Sequence, residues 1–215
     1  AAGGNEYIDY LGVHLYQPIF SSARFKDKFF QKQVDSLIKC LFPYGLNDKE
    51  IIVTEYGWPY QKQGQIFPEG VQAEGIIKFL VSAIGTLRNV YNPIKGVYIW
   101  SFVDQGPDTF GLLKIVKNPF TGYVDSIIPR ASFYAYKQLN KNLYKKLFNK
   151  KIEIKGDTIL VYEFEDPKSH LRTWVIWWSR DYNYPGNVKI SLPGKTYSFY
   201  YEKMAIQEIP ERFIF

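Results

Sequence analysis

The stretch IIVTEYGWP, residues 51–59, is a run of four β-branched residues that stops on Glu55 and then breaks into Tyr56, Gly57, Trp58 and Pro59. Four β-branched residues in a row fit a buried strand, and a Gly-Trp-Pro tail fits the loop that leaves it. A carboxylate at the exit of a buried strand costs free energy unless it is paired or put to use. Taken alone, such a glutamate would cap a neighbouring loop or pair with a lysine. Its surroundings change that reading.

Working outward, three units share one rhythm. YIDYLGVHLY (7–16) reads as a strand, and KDKFFQKQVDSLIKCLFPYG (26–45) as a helix with Phe29, Phe30, Val34, Leu37, Ile38 and Leu41 at helical spacing and Gly45 as its stop. The strand around Glu55 (50–58) leads to a second helix over 69–91. A third strand, IKGVYIWSFVD (94–104), leads through a loop to a helix over 130–148. Strand and helix in alternation imply crossovers and a parallel sheet. The strands read as apolar on both faces, as parallel strands covered on both sides do.

From about residue 150 the pattern changes to alternating segments separated by Gly156-Asp157, Asp166-Pro167, Pro185-Gly186 and Pro193-Gly194. Short strands at that spacing predict a small antiparallel β-sandwich, with the domain boundary near Asn149–Lys150. The expected division is therefore an α/β domain over 1–149 and a β-sandwich over 150–215. Within the latter, TWVIWWS (173–179) puts large apolar residues on both faces of one strand, which favours core over a sugar-binding surface.

Composition narrows the function classes. The chain has 215 residues, 46% hydrophobic and 22% charged, enough apolar side chain for a sizeable core. The 18% aromatic content suits a packed interior, a thermophile-like composition, or a surface that stacks on sugars or bases. The net charge of +6 invites a nucleic-acid partner, but the basic residues are spread along the chain. Their densest run, 137–155, is expected to lie on a solvated helix face. No zinc spacing or RNA-binding aromatic signature accompanies it, so no nucleic-acid partner is expected. Cys40 stands alone, which excludes a disulfide framework and a cysteine metal cluster and leaves the compartment open, an extracellular one included. His14 and His170 have no companions at ligand spacing, so no metal and no other cofactor is implied. No stretch reaches the ~20 apolar residues of a membrane span.

The residues able to do chemistry gather at strand ends: His14 and Tyr16, then Glu55, then Trp100 and Asp104. In βα-barrels and open α/β sheets alike, the C-terminal edge of the strands is where sites are built. Strict alternation groups Val53 with Glu55 and Thr54 with Tyr56; it puts His14 with Tyr16 and Tyr98 with Trp100. If the three strands are neighbours, an imidazole, a phenol, a carboxylate and an indole meet at one rim. A phenol can orient a carboxylate and stabilise its charged form, and an indole offers a flat apolar platform to a pyranose ring.

These residues resemble a known group. VTEYGWP, followed about 45 residues later by GVYIWSFVD, is similar to strands seven and eight of the clan of retaining (β/α)8-barrel glycoside hydrolases. DYLGVHLY resembles the sixth strand of that clan, and FGLLKI with TGYVDSIIPRASFYAYKQL resembles the segment that closes such barrels. The resemblance covers roughly residues 5–148. It implies the C-terminal part, about strands six to eight, of a TIM barrel carrying a β-sandwich, acting on a β-linked oligo- or polysaccharide. It implies Glu55 as nucleophile, His14 and Tyr16 as contacts of the nucleophile or the sugar, and Trp100 as the platform beside the scissile bond. Trp58 and Asp104 match loop positions that contact substrate.

A retaining mechanism needs a second carboxyl group ~5–5.5 Å from the first, as acid and then base. In the resembled clan it is a glutamate after Asn at the end of strand four. Asn5-Glu6 offers the pair, but Glu6 and Glu55 are only 49 positions apart (55 − 6), with one strand and one helix between them. Three helices and two strands, ~80 or more residues, should intervene. Asn5-Glu6 is therefore expected to belong to the turn before the first strand. A barrel of ~250 residues cannot close with three βα units, so the expected partner is an upstream half of the same barrel, on the same or a separate chain. Against this stand a non-catalytic carbohydrate-binding scaffold that kept the rim, and a polyanion-binding α/β protein resting on charge alone. An Asn-Glu ending a strand ~100 residues before Glu55 separates the enzyme from the scaffold.

Overall fold

A computed structural model describes residues 4–16, 27–46, 48–62, 65–66, 69–86, 94–105, 109–154, 159–178, 187–192, 195–200 and 213–214. The chain divides into two compact units, Ala1–Tyr144 and Lys145–Phe215. The first is mixed α/β and the second is built of strands.

In the first unit, β1 (Tyr10–His14) leads to α1 (Asp27–Leu41), β2 (Glu50–Tyr56), a short pair of strands β3 (Gln61–Lys62) and β4 (Gln65–Ile66), α2 (Glu69–Thr86) and β5 (Ile94–Ile99). β1, β2 and β5 form a three-stranded parallel sheet in that order. The expected crossovers and neighbours are therefore present. α1 buries Phe30 and Val34, and its chain ends in a short 3-10 turn capped by Gly45 in the left-handed conformation, φ 67°. That is the stop the glycine predicts. α2 buries Gln72, Ile76, Phe79, Leu80, Val81 and Ala83, as a helix enclosed on several sides should.

Three differences from the sequence expectation have physical causes. First, the chain after β5 is more than a loop. β6 (Leu113–Lys117) and β7 (Val124–Pro129) pair as an antiparallel hairpin, whose tip is fixed by the Asn118 carboxamide oxygen accepting from the amides of Phe120 and Thr121. Second, α3 (Ala131–Leu143) stops short of 148, where Tyr144 leaves helical geometry and Lys145 takes φ 61°. Of that basic run, residues 137–143 end the helix and residues 147–154 form a strand. Third, among the described residues the parallel sheet is covered on one face only. Ile51, Val53 and Tyr56 are fully buried, while Tyr10, Gly12, Thr54 and Tyr98 on the other side are exposed. Among the described residues nothing covers that second face, and β1 and β5 are both open edges.

In the second unit, β8 (Leu147–Ile154), β9 (Ile159–Glu165) and β10 (Arg172–Trp178) are antiparallel neighbours, with β11 (Asn187–Leu192) and β12 (Lys195–Tyr200) as a separate hairpin. β13 (Phe213–Ile214) joins β10 in parallel, so the four-stranded sheet is not wholly antiparallel. β9 is buried from Ile159 to Phe164, and residues 173–177 are buried too, which places the described part of that aromatic strand in the core as expected. Asn149 lies at a bulge inside β8, where its amide donates to the buried Glu163 carboxylate at 2.5 Å. The Trp174 indole N–H donates to the other Glu163 oxygen at 2.8 Å, so the carboxylate is not left unsatisfied.

Candidate active site

Glu55 is the penultimate residue of β2, in the middle strand of the parallel sheet. The ladder is not regular there. Between β1 and β2 the pairing steps from Val13↔Val53 to His14↔Glu55, and between β2 and β5 it steps from Val53↔Val97 to Tyr56↔Ile99. The extra residue at Thr54 breaks strict alternation. Tyr56 joins Ile51 and Val53 on the buried face, stacked on Phe79 and donating its hydroxyl to the Gly75 carbonyl at 3.0 Å. Glu55 is thereby separated from Val53, its expected companion, and its side chain is 30% exposed. Bulges commonly re-aim a side chain in this way beside a site.

Two side chains from the end of β1 converge on this carboxylate. The Tyr16 hydroxyl donates to Glu55 Oε2 at 3.1 Å, and His14 Nδ1 lies 3.3 Å from the same oxygen. For the second contact to be a hydrogen bond, Nδ1 must carry a proton. Both side chains meet Oε2, and among the described residues Oε1 accepts nothing. One oxygen is anchored and the other keeps its lone pairs. The Tyr16 phenol is pushed well above its ordinary pKa, first by burial and then by its hydrogen bond to Glu55 and the charge there. It therefore stays a proton donor to the carboxylate across the neutral range.

The main chain around the site is tight. Leu15 N–H donates to the Glu55 carbonyl at 3.3 Å, and Trp100 N–H donates to the Tyr56 carbonyl at 2.7 Å. Trp100 follows β5 directly, is 40% exposed as a residue, and has a cis peptide bond to Ser101. Gly57 is obligatory at the exit of β2. A Cβ there would stand 2.1 Å from the Trp100 carbonyl oxygen and 2.7 Å from Phe110 Cδ1. Gly57→Ala is expected to displace Trp100 and cost about 1–3 kcal/mol, read as a lower unfolding midpoint with altered indole fluorescence.

Two of the expected contact residues lie elsewhere. Trp58 is buried at 1% exposure, its ring against Gly75 of α2, where a Cβ would come within 2.3 Å of it. It packs the core and does not face the carboxylate. Asp104 is held by Arg130: Arg130 Nη2 is 2.5 Å from Asp104 Oδ2, and the Gly111 amide donates to Asp104 Oδ1 at 3.0 Å. The Arg130 guanidinium also lies 4.4 Å from the Tyr60 ring centroid. Asp104 thus serves a buried ion pair. Asn5-Glu6 forms a 3-10 turn ahead of β1, at the end of the sheet away from Glu55, as the spacing predicts.

Behind the site is a polar cluster the sequence reading did not assign. The buried Gln72 amide donates to the carbonyls of Phe110 (3.3 Å) and Gly111 (3.2 Å) and accepts from the Ser132 hydroxyl (2.8 Å). Gln72 and Ser132 are polar residues inside otherwise apolar helical positions, which is the signal that could have marked them. Phe110 itself, whose ring meets the Tyr16 ring edge-on at 6.1 Å, is visible in the sequence only as the aromatic before an obligatory glycine.

The protonation of the buried phenols gives a pH dependence. Tyr16 and Tyr56 both hold their protons more tightly in the folded chain, Tyr56 because of burial. Their stabilising contribution is complete below the ordinary phenol value of about 10 and is lost as pH rises toward their folded values. Urea unfolding midpoints are expected to fall above about pH 10, and Tyr56→Phe should flatten that decline. A slope unchanged in the variant would contradict the assignment.

Among the described residues there is no group of three or more His, Cys, Asp or Glu able to hold a metal ion. No helix among them is long and apolar enough to cross a membrane. The chain matches no protein-family model and has no significant match among curated proteins. Among solved structures it is similar to a β-glucosidase from Exiguobacterium marinum, at 18% identity and a TM-score of 0.44, over 63% of this chain and 35% of that one. It is also similar to a double mutant of the β-glucosidase from Trichoderma harzianum, at 24% identity and a TM-score of 0.33, over 51% of this chain and 25% of that one. The chain thus spans about a third and a quarter of the length of those two proteins, and TM-scores this low do not establish a shared fold.

Proposed function

We propose that this chain carries the nucleophile side of a retaining glycoside hydrolase site, in the C-terminal part of a (β/α)8 barrel followed by a β-sandwich. The observation that supports this most is the geometry at Glu55. A carboxylate stands at the C-terminal edge of a parallel sheet with a phenol and an imidazole on one oxygen and, among the described residues, nothing on the other. The Tyr16 hydroxyl on Oε2 fixes the orientation of the carboxylate, as a nucleophile requires.

In the proposed reaction Glu55 Oε1 attacks the anomeric carbon of a β-glycoside, forming a glycosyl ester as the bond to the leaving oxygen breaks. A second carboxylic acid protonates that oxygen, then removes a proton from the water that hydrolyses the ester. The exposed Trp100 indole is the proposed platform for the sugar. Among the described residues no second carboxylate reaches Glu55, His14 or Tyr16. We assign it to further βα units that would cover the open face and edges of the sheet, because a parallel sheet is stable when both faces are covered. The test is turnover of aryl β-glycosides by the full-length protein and its Glu55→Gln variant, with the expected loss argued below.

A further inference from the structure

Tyr16 lies two residues beyond β1, so no strand pairing holds its side chain. Its main chain is fixed by Gln33 of α1, whose amide donates to the Tyr16 carbonyl at 2.9 Å. What remains is rotation of the phenol, and among the described residues the ring has two aromatic neighbours. His14 meets it at 6.5 Å, but that imidazole is 55% exposed. Phe110 meets it edge-on, with centroids 6.1 Å apart and planes at 78°.

Phe110 is far better anchored. Its Cδ1 abuts the site where Gly57 has no side chain, and its carbonyl is held by buried Gln72, which Ser132 orients in turn. The next residue, Gly111, is tied to Asp104 through its amide, and a Cβ there would stand 2.3 Å from the Asp104 nitrogen. A continuous set of contacts thus runs from Ser132 through Gln72 and Phe110 to Tyr16, and ends on the carboxylate.

We propose that Phe110 is a positioning residue: its ring, seated against Gly57 on a main chain held by Gln72, holds the Tyr16 phenol in the rotamer that donates to Glu55 Oε2. This deepens the reading of the site and rests on it only where turnover is concerned. Phe110 also shields the phenol from water on its side, in keeping with burial as the leading cause of the raised Tyr16 pKa. Truncating the ring lets the phenol sample other rotamers and admits water, while the sugar-facing surfaces of Trp100 and Glu55 are untouched.

Two measurements on the full-length protein test this. In the first, kcat and KM on an aryl β-glycoside are measured for Phe110→Ala, Tyr16→Phe and the double variant. Phe110→Ala is expected to lower kcat roughly 10- to 100-fold, the scale of one hydrogen bond to a charged group, with KM nearly unchanged. In the Tyr16→Phe background the same change should cost no more than about 2-fold, because its route to Glu55 is already gone. Phe110→Tyr, which keeps the ring, should restore kcat. Losses that multiply, or wild-type kcat in Phe110→Ala, would overturn the inference. If Phe110→Ala does not fold, Phe110→Leu carries the same cycle.

The second measurement needs no substrate. With 13C at the tyrosine ζ carbon, the Tyr16 resonance is identified by its loss in Tyr16→Phe. At about pH 11 it should report a protonated phenol in the wild type and a partly ionised one in Phe110→Ala. A Tyr16 resonance that ignores Phe110→Ala would overturn the inference even if glycosides are hydrolysed. A resonance that responds, in a protein that hydrolyses no glycoside, would leave the positioning role standing and remove the hydrolase reading.

Discussion

Glu55→Gln is expected to lower kcat/KM on aryl β-glycosides by about 10⁴- to 10⁶-fold, the range seen when a covalent nucleophile is removed. The substitution is nearly isosteric, and a carboxamide oxygen still accepts from the Tyr16 hydroxyl that now meets Oε2 at 3.1 Å. The fold should therefore be kept, and the loss should fall on kcat because the carboxamide cannot form the ester. Glu55→Ala adds a second readout. It vacates the volume between Tyr16 and the sugar, where azide can attack the anomeric carbon from the same side. The product would be a glycosyl azide of inverted configuration. Near wild-type turnover in Glu55→Gln, or an azide that rescues nothing in Glu55→Ala, would contradict the assignment.

Arg130→Ala is expected to destabilise the first unit by about 3–5 kcal/mol, the range for breaking a buried ion pair from one side. Arg130 is 3% exposed and Asp104 14%, so little solvent reaches either charge. Removing the guanidinium leaves the Asp104 carboxylate uncompensated while it still holds the Gly111 amide, and strips the cation from the face of Tyr60. The Glu69 carboxylate, which accepts from the Ala131 amide at the start of α3 and lies 3.9 Å from Arg130 Nη1, loses a neighbour too. Urea unfolding should show the full cost in Arg130→Ala. A double variant, Arg130→Met with Asp104→Asn, should recover much of it, since no unpaired charge is then buried. Equal instability in the single and double variants would show that packing, and not charge, sets the cost.

The three parallel strands were legible because apolar strand runs with helices between them are local signals, whereas the meeting of His14, Tyr16 and Glu55 followed only if those strands were neighbours, as they are. The phase of Glu55 was not. Alternation counts residues, and the bulge at Thr54 adds one to β2 where its partners have none. Trp58 could not be told from a rim aromatic, because its burial depends on Gly75 of α2, seventeen residues away (75 − 58), leaving room for its ring. Asp104 was misleading for a similar reason: its partner Arg130 is 26 positions on, across a hairpin that reads as a loop. The one-sided covering of the sheet was also invisible, since apolar strand residues look alike whether or not something lies over them.

The most direct measurement is to incubate the full-length protein with a panel of 2-deoxy-2-fluoro aryl β-glycosides and map the attached sugar by peptide mass spectrometry. The fluorine slows both steps through an oxocarbenium-like transition state, and a good leaving group lets the ester form and persist. A fluorosugar on Glu55, absent in Glu55→Gln, is the expected result. A sugar on another residue, or equal labelling of the Glu55→Gln variant, would contradict the nucleophile role.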